Sequence, residues 1–174
     1  MACESLLAYV GKCGDSILAG TKNTYMIAYN DLDKIAGSTS VYTLSAGIVS
    51  AITLDTGKKF VKVRFTPKTE STNETITRAE NGVVTGNGTF SASILGFTKE
   101  GATFVKSLMG QEVVILQELA SGDFVASGLD GGYYMTEAVG QSTATESGYN
   151  VTFGGAIYGF SPTVDKTLVS SLIA

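Results

Sequence analysis

The sequence predicts a mainly β domain, a β-sandwich or rolled barrel, with one flanking α-helix. Three observations predict it. Among 174 residues there are 17 Ser, 21 Thr and 21 Gly, so polarity comes from hydroxyls and backbone more than from charge. Threonine and β-branched aliphatics suit a pleated surface, and glycine marks the turns between strands. Short aliphatic or aromatic runs recur along the chain between Gly, Asn and Asp clusters, the signature of successive strands. A single segment, 98–110, carries helical spacing. The length fits one domain. A chain of this size buries roughly 70% of its unfolded surface, so it needs no metal or disulfide staple. Residues 1–174 are therefore read as one domain, with an amino-terminal arm over about 1–20 and a carboxy-terminal tail over about 164–174.

The elements follow in order. Residues 1–20 are weakly patterned and read as a lead-in. Thr24–Tyr29 is aromatic and aliphatic, a strand ended by the turn residues Asn30-Asp31-Leu32-Asp33. Ser38–Tyr42 is a loop or short strand, and Ile48–Leu54 is a strand. Asp55-Thr56-Gly57-Lys58 turns the chain into Lys59–Thr66, where Val61, Val63 and Phe65 line one face and Lys62 and Arg64 the other, with Phe60 out of phase. The two strands are expected to form a hairpin. After Pro67, Lys68–Thr75 is almost free of apolar residues and reads as an exposed loop or strand end. Ile76–Glu80 continues as a strand to the strong turn signal Asn81-Gly82. Val83–Phe97 is a long strand region in which Gly86-Asn87-Gly88 predicts a bulge or a second turn.

Thr98 is placed to cap the helix. Ala102, Val105, Leu108 and Met109 share a face, and Gly110 stands where a terminating glycine belongs. A helix this short is marginal alone and has to pack on a sheet. Four strands follow: Glu112–Leu119, Phe124–Ser127, Tyr133–Val139 and, after the polar stretch Gly140–Gly148, Tyr149–Tyr158. The apolar-tipped tail runs from Val164.

Composition narrows the function. Charged residues are only 16%, against about 25% in an average domain. That suits a surface covered by neighbours, because interface cores are poor in charge, and equally an ordinary β domain with a Ser/Thr surface. The net charge is −4, so the basic footprint of a nucleic-acid binder is missing. The cluster Lys58, Lys59, Lys62 and Arg64 reads as a solvated or interface-facing strand. The longest aliphatic run, Val113–Leu116, is too short to span a bilayer, and the first 20 residues show no secretory pattern.

The residue types present restrict the catalytic constellations this chain can build. Without histidine, Ser-His-Asp and Cys-His triads and histidine zinc sites are excluded. Gly11-Lys12-Cys13-Gly14 lacks the upstream glycine and the following Ser/Thr of a phosphate loop. Gly86-Asn87-Gly88 sits within a strand pattern, not at a strand-to-helix turn as a dinucleotide fingerprint does. Asn30, Asp31 and Asp33 begin like a calcium loop, but Ile35 and Val41 occupy its required glycine and glutamate positions. Glu112 and Glu118 read as sheet-surface charges. Asn73-Glu74-Thr75, Asn87-Gly88-Thr89 and Asn150-Val151-Thr152 match the glycosylation pattern, which matters only in a secreted eukaryotic chain. Cys3 and Cys13 form no metal-ligand spacing; two free thiols are expected, with a Cys3–Cys13 disulfide as the alternative. No catalytic, cofactor-binding or metal-binding residue is assigned, and the chain is not expected to be an enzyme.

The order of strands, polar loop, strands, flanking helix and closing strands resembles the tail-tube fold of bacteriophages. The wording is similar to small virion proteins of phages that infect Bacteroidetes hosts, crAss-like phages among them. The residues that carry this likeness are Met1-Ala2-Cys3, Cys13-Gly14-Asp15-Ser16, Tyr25-Met26-Ile27, Gly122-Asp123-Phe124, Gly128-Leu129-Asp130-Gly131-Gly132, and the closing Ser147-Gly148-Tyr149-Asn150-Val151-Thr152-Phe153-Gly154-Gly155. The glycine pair expected after Cys13 is replaced by Ile17-Leu18-Ala19-Gly20. The resemblance implies a virion subunit that assembles with itself into rings, hexameric or of related symmetry. Such rings form a tail tube or a collar, contact other tail and portal-proximal proteins, and let DNA pass without holding it. An acidic chain fits such a channel, since like charges repel phosphates. No membrane partner is implied.

Two other readings stand beside it. One is a bacterial surface adhesin or pilin-like domain, which predicts export. The other is a carbohydrate-binding module or small enzyme, with Tyr133-Tyr134 and Tyr158 as sugar platforms. Subunit contacts are expected from the arm (Ala2–Gly14), the polar loop (Lys68–Thr75) and the tail (Leu168–Ala174).

Overall fold

Val113-Val114-Ile115-Leu116 is the one place where four aliphatic side chains stand in an unbroken row. In a strand such a row buries both faces, and all four side chains are buried here. The computed structural model describes residues 20–142 and 147–174. The described strands are β1 (Thr21–Ala28), β2 (Tyr42–Ser45), β3 (Ile48–Ile52), β4 (Val61–Val63), β5 (Ser71–Arg78), β6 (Val84–Leu95), β7 (Glu112–Leu119), β8 (Phe124–Ser127), β9 (Tyr133–Ser142), β10 (Ser147–Ala156) and β11 (Thr163–Val164). Two helices, α1 (Lys99–Leu108) and α2 (Lys166–Leu172), and a short 3-10 turn at Tyr29–Asp31 complete the described elements. The domain is mainly β, and its strands form one sheet in the order β2-β3-β11-β8-β7-β9-β10-β6-β5, with β1 joining β7 and β4 joining β1.

The β1–β7 pair is the wall on which the rest is built. Tyr25 lies opposite Leu116, Met26 opposite Ile115 and Ile27 opposite Val114. Because side chains alternate, Tyr25, Ile27, Val114 and Leu116 face one core, and Met26, Val113 and Ile115 face a second. The first core is closed by Val49 and Ile52 of β3, Phe60, Ala126, Leu129, Val164, and Val169 and Leu172 of α2. The second is closed by Phe90 and Ala92 of β6, Val151 and Phe153 of β10, Tyr133, Phe65, and Val105 and Leu108 of α1. Phe90 is the hub of its aromatic cluster, 5.7 Å from the Phe65 ring and 6.2 Å from the Phe153 ring. Fully burying side chains of this size contributes about 1.5–3 kcal/mol each.

Helix α1 starts where its sequence says. The Thr98 hydroxyl accepts the Gly101 N–H at 3.0 Å, and Gly110 adopts φ +79° just past its end. The packed face differs from expectation. Gly101, Val105 and Leu108 are buried with Phe104 beside them, while Ala102 and Met109 face solvent. The stripe follows i, i+3, i+4, i+7, because Gly101 lets the first turn lie against Ile94 and Tyr149.

Three further expectations are corrected, and the loop-or-strand alternative at Lys68–Thr75 is resolved. The turn at Asp55–Lys58 forms, but β3 and β4 do not make a hairpin. The out-of-phase Phe60 plunges into the first core and bridges to Ile173, so β4 is carried to β1. Gly86-Asn87-Gly88 makes neither bulge nor turn, and pairs in unbroken register with both β5 and β10. Glycine is needed at 88 for room: a Cβ there would sit 1.9 Å from the Tyr133 hydroxyl oxygen. The stretch Lys68–Thr75 is a loop only to Glu70; from Ser71 it is strand β5, paired with β6. The expected tail is helix α2. Asp165 caps it by accepting the Thr167 N–H, and Val169 and Leu172 bury against the first core. The described residues thus form two helices, not one. The polar stretch Gly140–Gly148 contributes the ends of β9 and β10. The expectations for the arm, Cys3, Cys13 and Gly11–Gly14 lie outside the described residues.

Candidate functional site

The sheet path is open at both ends. Strand β2 pairs only with β3, and β5 only with β6, among the described residues. An unpaired strand edge presents free backbone N–H and C=O groups, a template for another strand. Strand β4, off the path, likewise pairs only with β1, and the two ends of the path form the candidate site.

At the β5 end, alternate side chains turn inward and are held by hydrogen bonds. Thr72 donates to Gln117 Oε1 at 2.7 Å, and Gln117 Nε2 donates to Thr21 at 3.1 Å. The Thr24 hydroxyl donates to Glu70. Glu74 accepts the Ser161 N–H at 2.8 Å, the Ser161 hydroxyl, and the Tyr133 hydroxyl at 3.3 Å. Ser161 Oγ lies 2.8 Å from Ser127 Oγ. Thr24, Gln117 and Ser127 are buried, so this seam satisfies groups that would otherwise be costly to bury. Burial first, and then the Glu74 carboxylate, push the Tyr133 phenol well above its ordinary value. It therefore stays a neutral donor. The hydroxyls of the seam are spent on clamping β5 and Glu70 to β1, β7 and the loop before β11, and among the described residues no imidazole or amine stands beside Ser161 to activate it.

The outward side of β5 carries Ser71, Asn73, Thr75 and Thr77, all exposed, and the strand ends at exposed Arg78, which alternates with Thr77 and follows Thr72, Glu74 and Ile76 on the other side. The hairpin turn beyond it is tied by Val83 N–H donating to Asn81 Oδ1 at 3.1 Å. Val83 and Val84 stand out in solvent there.

At the β2 end lies a cavity of about 250 Å³ lined by Tyr42, Leu44, Leu129, Asp130, Tyr158 and Phe160 among others. The turn Gly128–Gly132 places Asp130. It is closed by Gly132 N–H donating to Gly128 O at 2.8 Å, and both glycines take φ +81°. A Cβ at Gly128 would stand 2.9 Å from Val113 O, so only glycine lets this loop hug β7. The Tyr42 hydroxyl donates to Asp130 Oδ1 at 2.9 Å, and the Tyr158 N–H reaches Asp130 Oδ2 at 3.5 Å. Burial, then the Asp130 hydrogen bond, push the Tyr42 phenol up to about 12. Tyr158 is 86% exposed and Phe160 66% exposed, the strongest exposure of aromatic surface on the described chain.

The residues singled out from sequence are scattered. Tyr133 is wholly buried, Tyr134 is exposed on β9, and Tyr158 rims the β2-end cavity. Asp31 pairs with Lys58 at 2.9 Å, and Asp33 accepts the Lys34 N–H. Lys59 donates to Ser171 O, while Lys62 and Arg64 are exposed. Glu118 is held by Lys22 at 2.8 Å and by Asn23. Of the expected contact regions, Lys68–Thr75 does lie at an open edge, whereas Leu168–Ala174 is largely packed inward. Tyr42, Asp130 and Phe160 were missed. The one available signal was Tyr158-Gly159-Phe160, two aromatics around a glycine immediately after a strand. No helix among the described residues is long and apolar enough to cross a membrane. The chain has no significant match among protein-family models, curated proteins or solved structures.

Proposed function

We propose that this chain is a structural subunit that assembles with itself edge to edge, a tail-tube-like virion protein whose rings form a tail tube or collar around a DNA channel. One large sheet with a core on each face of its β1–β7 wall supports this reading. One observation carries it: among the described residues the path of the sheet ends in two different strands paired on one side only, β2 and β5, with β4 a further one-sided strand, and each has large apolar side chains left in solvent beside it. Two unlike ends make a heterologous contact, which closes into a ring when the rotation per subunit divides a full turn. Joining ends in this way removes the free edges. The partners are copies of this chain first, and other tail or portal-proximal proteins second. DNA passes without being held, since the chain is acidic.

Light scattering coupled to size exclusion, followed by negative-stain electron microscopy, tests the reading. Rings or stacked rings growing in with protein concentration are the expected outcome. A strictly monomeric chain at high concentration rejects it.

A further inference from the structure

The cavity at the β2 end has the chemistry of a cation receptor. Three aromatic side chains, Tyr42, Tyr158 and Phe160, surround it, and the Asp130 carboxylate stands in its wall. Asp130 spends one oxygen on the Tyr42 hydroxyl and the other on a long approach from the Tyr158 N–H. A carboxylate has about four acceptor positions, so capacity remains. No Lys or Arg is among the described residues that line the cavity. Aromatic faces attract ammonium and guanidinium ions, and a carboxylate beside them adds a charge-assisted hydrogen bond.

The opposite end of the sheet offers the matching group. The chain has two arginines, Arg64 and Arg78. Arg78 ends the unpaired strand β5, is exposed, and meets no carboxylate in a salt bridge among the described residues. A planar guanidinium stacks on aromatic rings while bonding a carboxylate, which a lysine ammonium does less well. Tyr42 and Leu44 belong both to the cavity wall and to strand β2. A neighbour's β5 end arriving at the β2 end therefore brings its arginine to the cavity mouth.

We propose that the Tyr42–Asp130–Tyr158–Phe160 cavity receives the Arg78 guanidinium of a second copy of this chain, fixing the contact between the β2 end of one subunit and the β5 end of the next. This rests on the self-assembly reading and names its specificity contact. Electrostatic pairing of this kind sets register and partner choice.

The test is a charge swap on the full chain, read by light scattering and electron microscopy, with thermal melts to verify folding. Arg78→Asp and Asp130→Arg are each expected to raise the concentration needed for assembly by about tenfold or more. The double variant Arg78→Asp/Asp130→Arg is expected to recover most of it, and Arg64→Asp to leave assembly unchanged. Asp130→Asn keeps an acceptor for Tyr42 and serves if Asp130→Arg fails to fold; it too is expected to weaken assembly. As a second readout, N-acetyl-arginine amide is expected to shift the Tyr158 and Asp130 amide resonances of dilute wild-type chain, and not those of Asp130→Asn. If wild type assembles and the single variants assemble equally well, the arginine contact is wrong while self-assembly stands. If wild type never assembles, both fall. Saturable binding of a neutral oligosaccharide that is lost in Tyr158→Ala, with assembly untouched by the charge variants, would assign the cavity to sugar and overturn the proposal.

Discussion

The two faces of the β1–β7 wall are built from the same two strands and carry different chemistry. One face, Tyr25, Ile27, Val114 and Leu116, is apolar along its length and is sealed by β3, β8, β11 and α2. The other begins apolar with Met26, Val113 and Ile115, then turns polar at Thr24 and Gln117. There it is covered by hydrogen bonds from β5, not by aliphatic packing. Apolar burial is non-directional and tolerates a changing neighbour. A buried hydrogen bond has one geometry and is expensive to leave unmade. The difference teaches which part of the fold holds the mass of the stability and which part fixes the position of a single strand. Among the described residues that strand is also one of the open edges of the sheet.

The largest expected effect breaks the apolar face. Leu116 is fully buried between β1 and the first core, so Leu116→Ala is expected to destabilise the chain by about 2–5 kcal/mol. Denaturant unfolding measures it. A loss under about 1 kcal/mol would mean that the two faces do not differ as described, because the apolar face would not be bearing the stability assigned to it.

The polar face is tested by Gln117→Leu, which keeps the volume but removes both amide bonds to Thr21 and Thr72. Thr21 is half-buried and Thr72 exposed, so both can turn to water and the loss is the net worth of the bonds, about 0.5–1.5 kcal/mol each, a smaller global effect. Its local effect sharpens the comparison. Amide exchange is expected to quicken in β5 while β7 stays protected, since regions held by few apolar contacts open first. Equal quickening in both strands would show that β5 is locked into the same cooperative unit as the wall.

The same contrast explains what could be read beforehand. Strand β7, the Thr98 cap and the Asn81-Gly82 turn were legible because each is a local rule: an aliphatic run, a hydroxyl before a helix, a turn dipeptide. Strand β5 was not, because an edge strand secured by Glu70, Thr72 and Glu74 has no apolar alternation except Ile76. Helix α2 spans barely two turns, and its apolar pairs Leu168-Val169 and Leu172-Ile173 read equally well as a tail tip. The pairing of β4 was hidden by Phe60, which serves the first core while Val63 and Phe65 serve the second. The β2-end cavity joins Tyr42 to Asp130 across 88 positions of chain, and no spacing rule reaches that far.

The smallest expected effects are electrostatic, and they separate the two ends of the molecule by pH. The hydrogen bond from Lys22, then that from Asn23, holds the Glu118 carboxyl below its ordinary value of 4.5. A lowered carboxyl stabilises the fold above its unfolded value, and that contribution is lost as pH falls through the lower folded value. Tyr42 runs the other way. Raised to about 12 by burial and by Asp130, its contribution is complete below its ordinary value of 10.0 and is lost as pH climbs towards 12. Thermal midpoints across pH measure both limbs. Glu118→Gln is expected to flatten part of the acid limb, and Tyr42→Phe part of the alkaline limb, with Tyr29 and Tyr133 supplying the remainder. In the assembled state the Arg78 guanidinium of a neighbour would ease ionisation of Tyr42 beside it. The alkaline limb should then move to lower pH on assembly while the Glu118 limb, set by Lys22 and Asn23 of its own subunit, stays where it is.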